Sequence, residues 1–259
     1  MKLLIIRHGD PDYENDTLTE RGWQEAEILA KRIAPMDIKD IYVSPLGRAR
    51  DTASCTLKAM GRKPTEVCDW LREFPAVLEY KDNRTLLAAY PDAKQREDGS
   101  HFSNIAWDIL PAYWMEHEEY FHKDNWRESE VIAYSDMQQC YDYVTKNFDA
   151  LLAEHGYVRH GNYYHVTKAN KDTIVFFCHF GLECILLSHL FGISPFPLWH
   201  GTVFAPTSVS TIYTEERQKG IASFRAGQLG DISHLYAAGM EPSFSARFCE
   251  IYDDWSERH

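Results

Sequence analysis

Two short apolar runs constrain this chain more than any other feature. Leu3-Leu4-Ile5-Ile6 leads directly into Arg7-His8-Gly9, and Thr173-Ile174-Val175-Phe176-Phe177-Cys178 leads directly into His179. Runs this continuously apolar suit strands buried on both faces, as in parallel sheets, where ligands bind just beyond the carboxyl ends of the strands. Arg7 and His8 stand at such an end. Gly9 lets the backbone turn sharply and approach a ligand closely, and the planar fork of Arg7 suits a phosphate. Read alone, the first run is equally consistent with a core strand that ends in two exposed polar residues.

With 259 residues, 44% of them hydrophobic and 25% charged, the chain is long enough for one α/β domain carrying an insertion. No run approaches the ~18 apolar residues of a membrane span. The aliphatic run after Met1-Lys2 is shorter than a signal-peptide core of ~7–15 residues, so a cytoplasmic location is expected. The six cysteines are scattered without a Cys-x-x-Cys pair, which points to reduced thiols. A formal net charge of −12 argues against nucleic acid or anionic membranes as partners, so any phosphate site has to be a local positive pocket.

After the first strand, a polar turn over Asp10 to Asp16 precedes a helix capped by Thr19 and running to about Ala34. Ile41-Tyr42-Val43 reads as a second strand, and Ser44-Pro45 opens a loop into a helix from Leu46 to about Met60, closed by Gly61. Arg48 lies in its first turn. Thr65 to Trp70 reads as a third strand, with Glu73 at its exit. From about Glu79 to Val166 the alternation of strand and helix lapses, which suggests an insertion and candidate cap, largely helical, carried on a core of residues 1–78 and 167–259. Within it, Phe102 to His122 has helical spacing around Pro111, Ser135 to Glu154 has a continuous apolar stripe, and Tyr157 to Val166 resembles a hairpin. The strand ending at Cys178 is followed by a helix from about Gly181 to Leu190. Ser208 to Tyr213 and Ile221 to Phe224 complete the predicted strands. The expected fold class is α/β, a three-layer α/β/α sandwich around a mostly parallel sheet, in one domain.

A parallel sheet would bring Arg7, His8, Arg48, Glu73 and His179 to one edge. Two guanidiniums can hold a dianionic phosphoryl group while a histidine between them attacks phosphorus. Their positive charge lowers the histidine's pKa and keeps it neutral and nucleophilic. A desolvated Glu73 could stay protonated and donate to the leaving oxygen, with Glu79 the alternative acid. His179, at the start of a helix, is placed to steady the phosphoryl oxygens. A metal reading is weaker, because His117 and His122 are five residues apart and not the four of a helical zinc site.

At these residues the sequence resembles the histidine phosphatase superfamily, which includes the cofactor-dependent phosphoglycerate mutases and many phosphatases. Arg7-His8-Gly9 resembles its defining triplet, and Leu18-Thr19-Glu20-Arg21-Gly22 with Gln24-Glu25-Ala26 the start of its first helix. Ser44-Pro45-Leu46-Gly47-Arg48-Ala49 with Thr52-Ala53, Leu71-Arg72-Glu73, Val175 to Gly181, and Gly230-Asp231-Ile232-Ser233-His234-Leu235 resemble further motifs. The insertion has no such counterpart. The resemblance implies a phosphohistidine at His8, phosphate contacts from Arg7, Arg48 and His179, Glu73 as proton donor, and no metal or other cofactor. Two departures stand out. Phe180 follows the second histidine where most members have glycine, and the loop after Gly9 is shorter than that of the mutases.

The expected function is therefore a histidine acid-type phosphatase acting on a small organic phosphomonoester. A phosphoglycerate mutase is the nearest alternative. A phosphate-binding or partner-binding module without turnover is the other, and the intact set of Arg7, His8, Arg48, Glu73 and His179 favours an enzyme over it.

Overall fold

The two apolar runs are neighbours. In the computed structural model, which describes residues 1–78, 83–243, 245, 250–251 and 254–258, they pair in parallel with Arg7 beside Cys178. Both therefore end at the same edge, and His8 and His179 leave the sheet side by side.

The chain begins β1 (Lys2–Arg7), β2 (Pro11–Asp12), β3 (Thr17–Leu18), α1 (Glu20–Ile33), β4 (Asp40–Val43), α2 (Gly47–Met60) and β5 (Glu66–Val67). It continues with β6 (Val77–Leu78), α3 (Asn83–Ala89), β7 (Asn104–Ile105), α4 (Pro111–Trp114) and α5 (Met137–Glu154). β8 (Tyr157–His160), β9 (Tyr163–Val166), β10 (Thr173–Cys178), α6 (Phe180–Phe191) and α7 (Phe196–Gly201) follow. The last elements are β11 (Val209–Gln218), β12 (Ile221–Asp231), α8 (Ser233–Ala237), β13 (Glu250–Ile251) and β14 (Asp254–Arg258). An eight-stranded sheet has the order β5-β4-β10-β1-β11-β12-β9-β8. It is mixed: β5, β4, β10 and β1 run parallel, and from β1 to β8 each neighbour is antiparallel.

The chain divides into two units. The first comprises Met1–Glu73, Leu152–Glu183 and the described residues of 203–259, and the second comprises Phe74–Leu151 and Cys184–Thr202. In the first unit, alternate residues of three parallel strands (Leu4 and Ile6, Val175 and Phe177, Ile41 and Val43) meet Leu29 and Ile33 of α1 and Ala53 of α2 in one buried cluster. Strand periodicity and helical periodicity thus bury their apolar faces against each other.

The second unit is built on aromatic contacts. Phe196 lies 4.4 Å from Tyr120 between ring centroids, Trp114 stacks on His200 at 4.7 Å, and Trp199 meets Trp126 at 6.1 Å. The helix expected over Phe102 to His122 is reduced to the four residues of α4, with 3-10 turns at Ala106–Asp108 and Glu118–Tyr120. Pro111 at the start of α4 ends any helix arriving from before it, and packing of large rings replaces regular backbone as the source of order. Only α5 is the long helix that its stripe predicts.

Other boundaries move too. The hairpin of β8 and β9, expected inside the insertion over 79–166, extends the eight-stranded sheet instead, because Ile221 and Ala222 of β12 pair with His165 and Tyr164. The third parallel strand is Glu66–Val67 alone, followed by a 3-10 turn over Asp69–Leu71. β11 and β12 run well past the predicted Tyr213 and Phe224, where exposed polar residues hide the pattern but cross-strand pairs such as Arg225 to Glu215 at 2.8 Å hold the ladder. Among the described residues, no helix is long and apolar enough to cross a membrane.

The turn after β1 is set by close packing on α1. A Cβ on Gly9 would lie 2.8 Å from the Gly22 carbonyl oxygen, and one on Gly22 would lie 2.2 Å from that of Asp10. Only glycines admit this approach. Thr19 caps α1 by accepting the Gly22 N–H at 3.0 Å and donates its own hydroxyl to Asp10 Oδ2 at 2.7 Å. Glu25, fully buried, accepts the Asp10 N–H at 2.9 Å and meets Arg21 at 3.3 Å.

Two stability predictions follow from this packing. Phe177 is fully buried in the cluster, so Phe177→Ala should lower unfolding free energy in urea by about 3–5 kcal/mol. Burial pushes the Glu25 carboxyl up from 4.5 to about 7, against the opposing pull of the Asp10 N–H and Arg21. Below pH 4.5 folded and unfolded states are both protonated at Glu25, and between about 4.5 and about 7 only the unfolded state has released the proton. This group therefore removes stability as pH rises through that window. Glu25→Gln, which keeps an acceptor for Asp10, should match the wild type in thermal melts at pH 4 and exceed it at pH 8. Equal melting temperatures at both pH values would contradict this.

Candidate active site

His8 follows the last residue of β1 and is 1% exposed. Its Nδ1 lies 2.7 Å from the carbonyl oxygen of Gly9, an acceptor only, so Nδ1 carries the proton and donates it. The lone pair of the neutral ring is then on Nε2. The turn that fixes this geometry is itself anchored, because the Gly9 N–H donates to Thr52 Oγ1 at 2.9 Å and that hydroxyl donates to the Arg48 carbonyl at 2.7 Å. Burial is the main reason that the His8 pKa falls well below 6.5, with the positive charges of Arg7 and Arg48 acting in the same direction. The charge argument made from sequence has the right sign but names the smaller causes.

His179 is fully buried, and its ring centroid lies 5.1 Å from that of His8. Its Nε2 is 2.8 Å from Ser44 Oγ. That oxygen also accepts the Leu46 N–H at 3.3 Å, and where its own proton goes to Nε2 the imidazole proton is on Nδ1. Nδ1 has no partner among the described residues. Burial, and then His8, Arg48 and Arg7, hold His179 well below its ordinary pKa. Both histidines are thus neutral near pH 7, and His8 presents its lone pair at Nε2.

The arginines complete the set. Arg7 is 3% exposed, its Nη1 donates to the Phe204 carbonyl, and its guanidinium lies 5.8 Å from the centre of the Phe180 ring. Arg48 donates from Nη1 to Asp16 Oδ1 at 2.7 Å and lies 5.4 Å from the Tyr13 ring. The Nε of each of these two arginines is buried and without an acceptor among the described residues, and Nδ1 of His179 is likewise buried and unpartnered among them. Buried donors are almost always paired, and a group of such donors under two positive charges is the chemistry of an anion site.

Glu73 stands after the 3-10 turn, and its Oε1 accepts the Leu182 N–H at 3.1 Å, in the first turn of α6. The structure therefore ties it to the element that His179 precedes. The alternative acid, Glu79, lies outside the described residues.

Two supporting residues were not singled out from sequence. Ser44 orients His179, and Asp16 orients Arg48 while its Oδ2 accepts the Gly47 N–H at 2.7 Å. Leu46, the N-cap of α2, has no side-chain bond to the helix, so Asp16 provides the cap from a distant turn. Asp16 adopts a left-handed φ of 46°, and a Cβ at Gly47 would sit 1.8 Å from the Asp16 carbonyl oxygen. The Gly before Arg48 was the available signal, since only that residue type admits the contact.

Residues 3–106 match the model of the histidine phosphatase superfamily, branch 1. The chain is 35% identical over 82 residues to a probable phosphatase of Schizosaccharomyces pombe, covering 28% of this chain and 39% of that protein. It is 40% identical over 60 residues to a 2,3-bisphosphoglycerate-dependent phosphoglycerate mutase of Thermoplasma acidophilum, covering 19% and 30% respectively. The matches thus span well under half the length of these relatives. A mycobacterial glucosyl-3-phosphoglycerate phosphatase shares the fold at a TM-score of 0.54 and 16% identity, over 88% of this chain and 98% of that one. Over residues 3–106 the chain is thus similar to the histidine phosphatase superfamily, and its fold is shared with the mycobacterial phosphatase.

Proposed function

We propose that the chain is a phosphatase that hydrolyses a small organic phosphomonoester through a phosphohistidine at His8. The observation that carries this reading is the coincidence of a lone pair on His8 Nε2 with the buried Nε–H groups of Arg7 and Arg48 and the buried Nδ1 of His179, none of which has a partner among the described residues. The phosphoryl oxygens accept from those three groups. His8 Nε2 attacks phosphorus in line with the ester oxygen, the new N–P bond forms as the P–O bond breaks, and Glu73 gives its proton to the departing oxygen. Water then attacks the phosphohistidine, Glu73 takes back a proton, the N–P bond breaks, and inorganic phosphate leaves. His8 stays neutral because burial opposes its protonation, so the nucleophile is preserved at pH values below 6.5. No metal or cofactor enters these steps.

Similarity to the Thermoplasma acidophilum mutase supports a second reading, in which the phosphoryl group returns to a bound acceptor. A mutase needs extra cations for a second anionic group and shielding from water. The short turn between Gly9 and Thr17, with Asp12, Glu14 and Asp16, supplies acids instead.

Two experiments test the reading. His8→Ala should remove hydrolysis of an aryl phosphate by at least about a thousandfold without loss of folding, and rapid quench of the wild type should trap an acid-labile, base-stable phosphoenzyme. Full activity in the variant would refute the nucleophile. Supplied with 3-phosphoglycerate and with an aryl phosphate, the same preparation should release stoichiometric inorganic phosphate from the aryl ester and form negligible 2-phosphoglycerate. Rapid isomerisation that depends on a bisphosphate primer would establish the mutase reading instead.

A further inference from the structure

The motif from Gly230 to Leu235 has no part in the reaction above. It runs from the end of β12 into α8 and carries His234, which is buried. The two ring nitrogens of His234 meet opposite chemistry. Nδ1 lies 3.2 Å from Nη1 of Arg32, a group that can only donate, so Nδ1 holds a lone pair. The ring proton is then on Nε2, which lies 3.2 Å from Thr207 Oγ1 and donates to it, while that hydroxyl gives its own proton to the Pro206 carbonyl at 2.7 Å. Arg32 is itself held by Asp231 Oδ2 at 2.6 Å. A neutral imidazole agrees with a pKa lowered to about 4 by burial and by Arg32, against the opposing pull of Asp231.

Thr207 carries this network to the site. It is fully buried and adopts a φ of 60°. Left-handed backbone is costly for a β-branched residue and persists only where surrounding contacts hold it. In this conformation the Thr207 N–H donates to the His8 carbonyl at 3.1 Å. The peptide between His8 and Gly9 is thus held at both ends, by Thr207 at its C=O and by Thr52 Oγ1 at its N–H, 2.9 Å away. The next carbonyl along the chain is that of Gly9, which accepts the Nδ1–H of His8. Rotation of the held peptide would move that carbonyl away from the ring.

We propose that His234 is a positioning residue for His8: by holding the Thr207 hydroxyl it keeps Thr207 in the conformation whose N–H clamps the His8 carbonyl, and so keeps Nε2 of His8 directed at phosphorus. The inference rests on the reading of His8 as the nucleophile. Arg32 and Asp231 act one step further out, by fixing the tautomer of His234. Arg7 is tied to the Phe204 and Ser208 carbonyls and not to Thr207, so loss of His234 slows attack more than it weakens phosphate binding.

The test compares the wild type with His234→Leu, His234→Gln and Thr207→Val, well below their melting temperatures. Phosphoenzyme formation from an aryl phosphate is followed by rapid quench, and sulfate binding by calorimetry. His234→Leu removes both hydrogen bonds and should slow phosphoenzyme formation about ten- to a hundredfold, the loss expected of a displaced nucleophile, with sulfate affinity changed by less than about threefold. His234→Gln, which keeps one acceptor and one donor on a neutral group, should recover most of that rate. Thr207→Val breaks the link from its other side and should show the same loss, and the double variant with His234→Leu should lose little more. Should the leucine variant not fold, Thr207→Val decides in its place. Wild-type rates in the folded leucine or valine variant, a glutamine variant as slow as the leucine one, or additive losses in the double variant would overturn the inference. An equal fall in rate and sulfate affinity would also overturn it, because the effect would then lie on phosphate binding. A wild type that forms no phosphoenzyme would overturn the phosphohistidine reading and this inference together.

Discussion

Burial of positive charge beside two imidazoles is the constraint on which this structure depends. Arg7, His8 and His179 are each at most 3% exposed, and without opposing charge such a cluster would be unfavourable to fold. The chain meets the problem in two ways. Desolvation strips both histidines of charge, and the guanidiniums are held by groups at their outer ends, Arg7 by the Phe204 carbonyl and Arg48 by Asp16. What remains is the buried Nε–H of each guanidinium beside the lone pair of His8, an arrangement suited to a tetrahedral anion.

That arrangement exists only if the backbone around His8 cannot drift. The tautomer of His8 depends on the Gly9 carbonyl, the position of Gly9 depends on Thr52, and the following turn depends on contact between Gly9, Asp10 and Gly22. Each link is a short backbone approach or a hydrogen bond within the first unit. The parallel register of β1 with β10 then brings the second histidine into ring contact with the first. Electrostatics and packing are therefore coupled: the helix that closes the core through Leu29 and Ile33 also presents Gly22 and Glu25 to the turn after His8.

The second unit follows a different logic. Its order comes from ring contacts among Trp114, Tyr120, Trp126, Phe196, Trp199 and His200, with 3-10 turns between them. Large aromatic side chains bury enough area to hold irregular backbone in place. Such a unit leaves little periodic trace, which is why its helices were overestimated from spacing alone, with the exception of α5.

The sequence by itself determined the two strands that end before His8 and His179, because an uninterrupted apolar run in a chain of this size has few places to go other than a buried strand. It also marked Arg7, His8, Arg48, Glu73 and His179, since residue type and position after a strand state a chemical capacity. Helix α1 was legible from its Thr19 cap, and α2 from Ser44-Pro45 before it and Gly61 after it. Only the tertiary structure decided the tautomer of His8 and the partner of His179, because the groups they meet, Gly9 O and Ser44 Oγ, are matters of distance. It also decided that Asp16 caps a helix 31 residues away in sequence and that the hairpin of β8 and β9 belongs to the sheet. Long-range contacts of this kind follow from how several elements pack at once, and no local pattern encodes that.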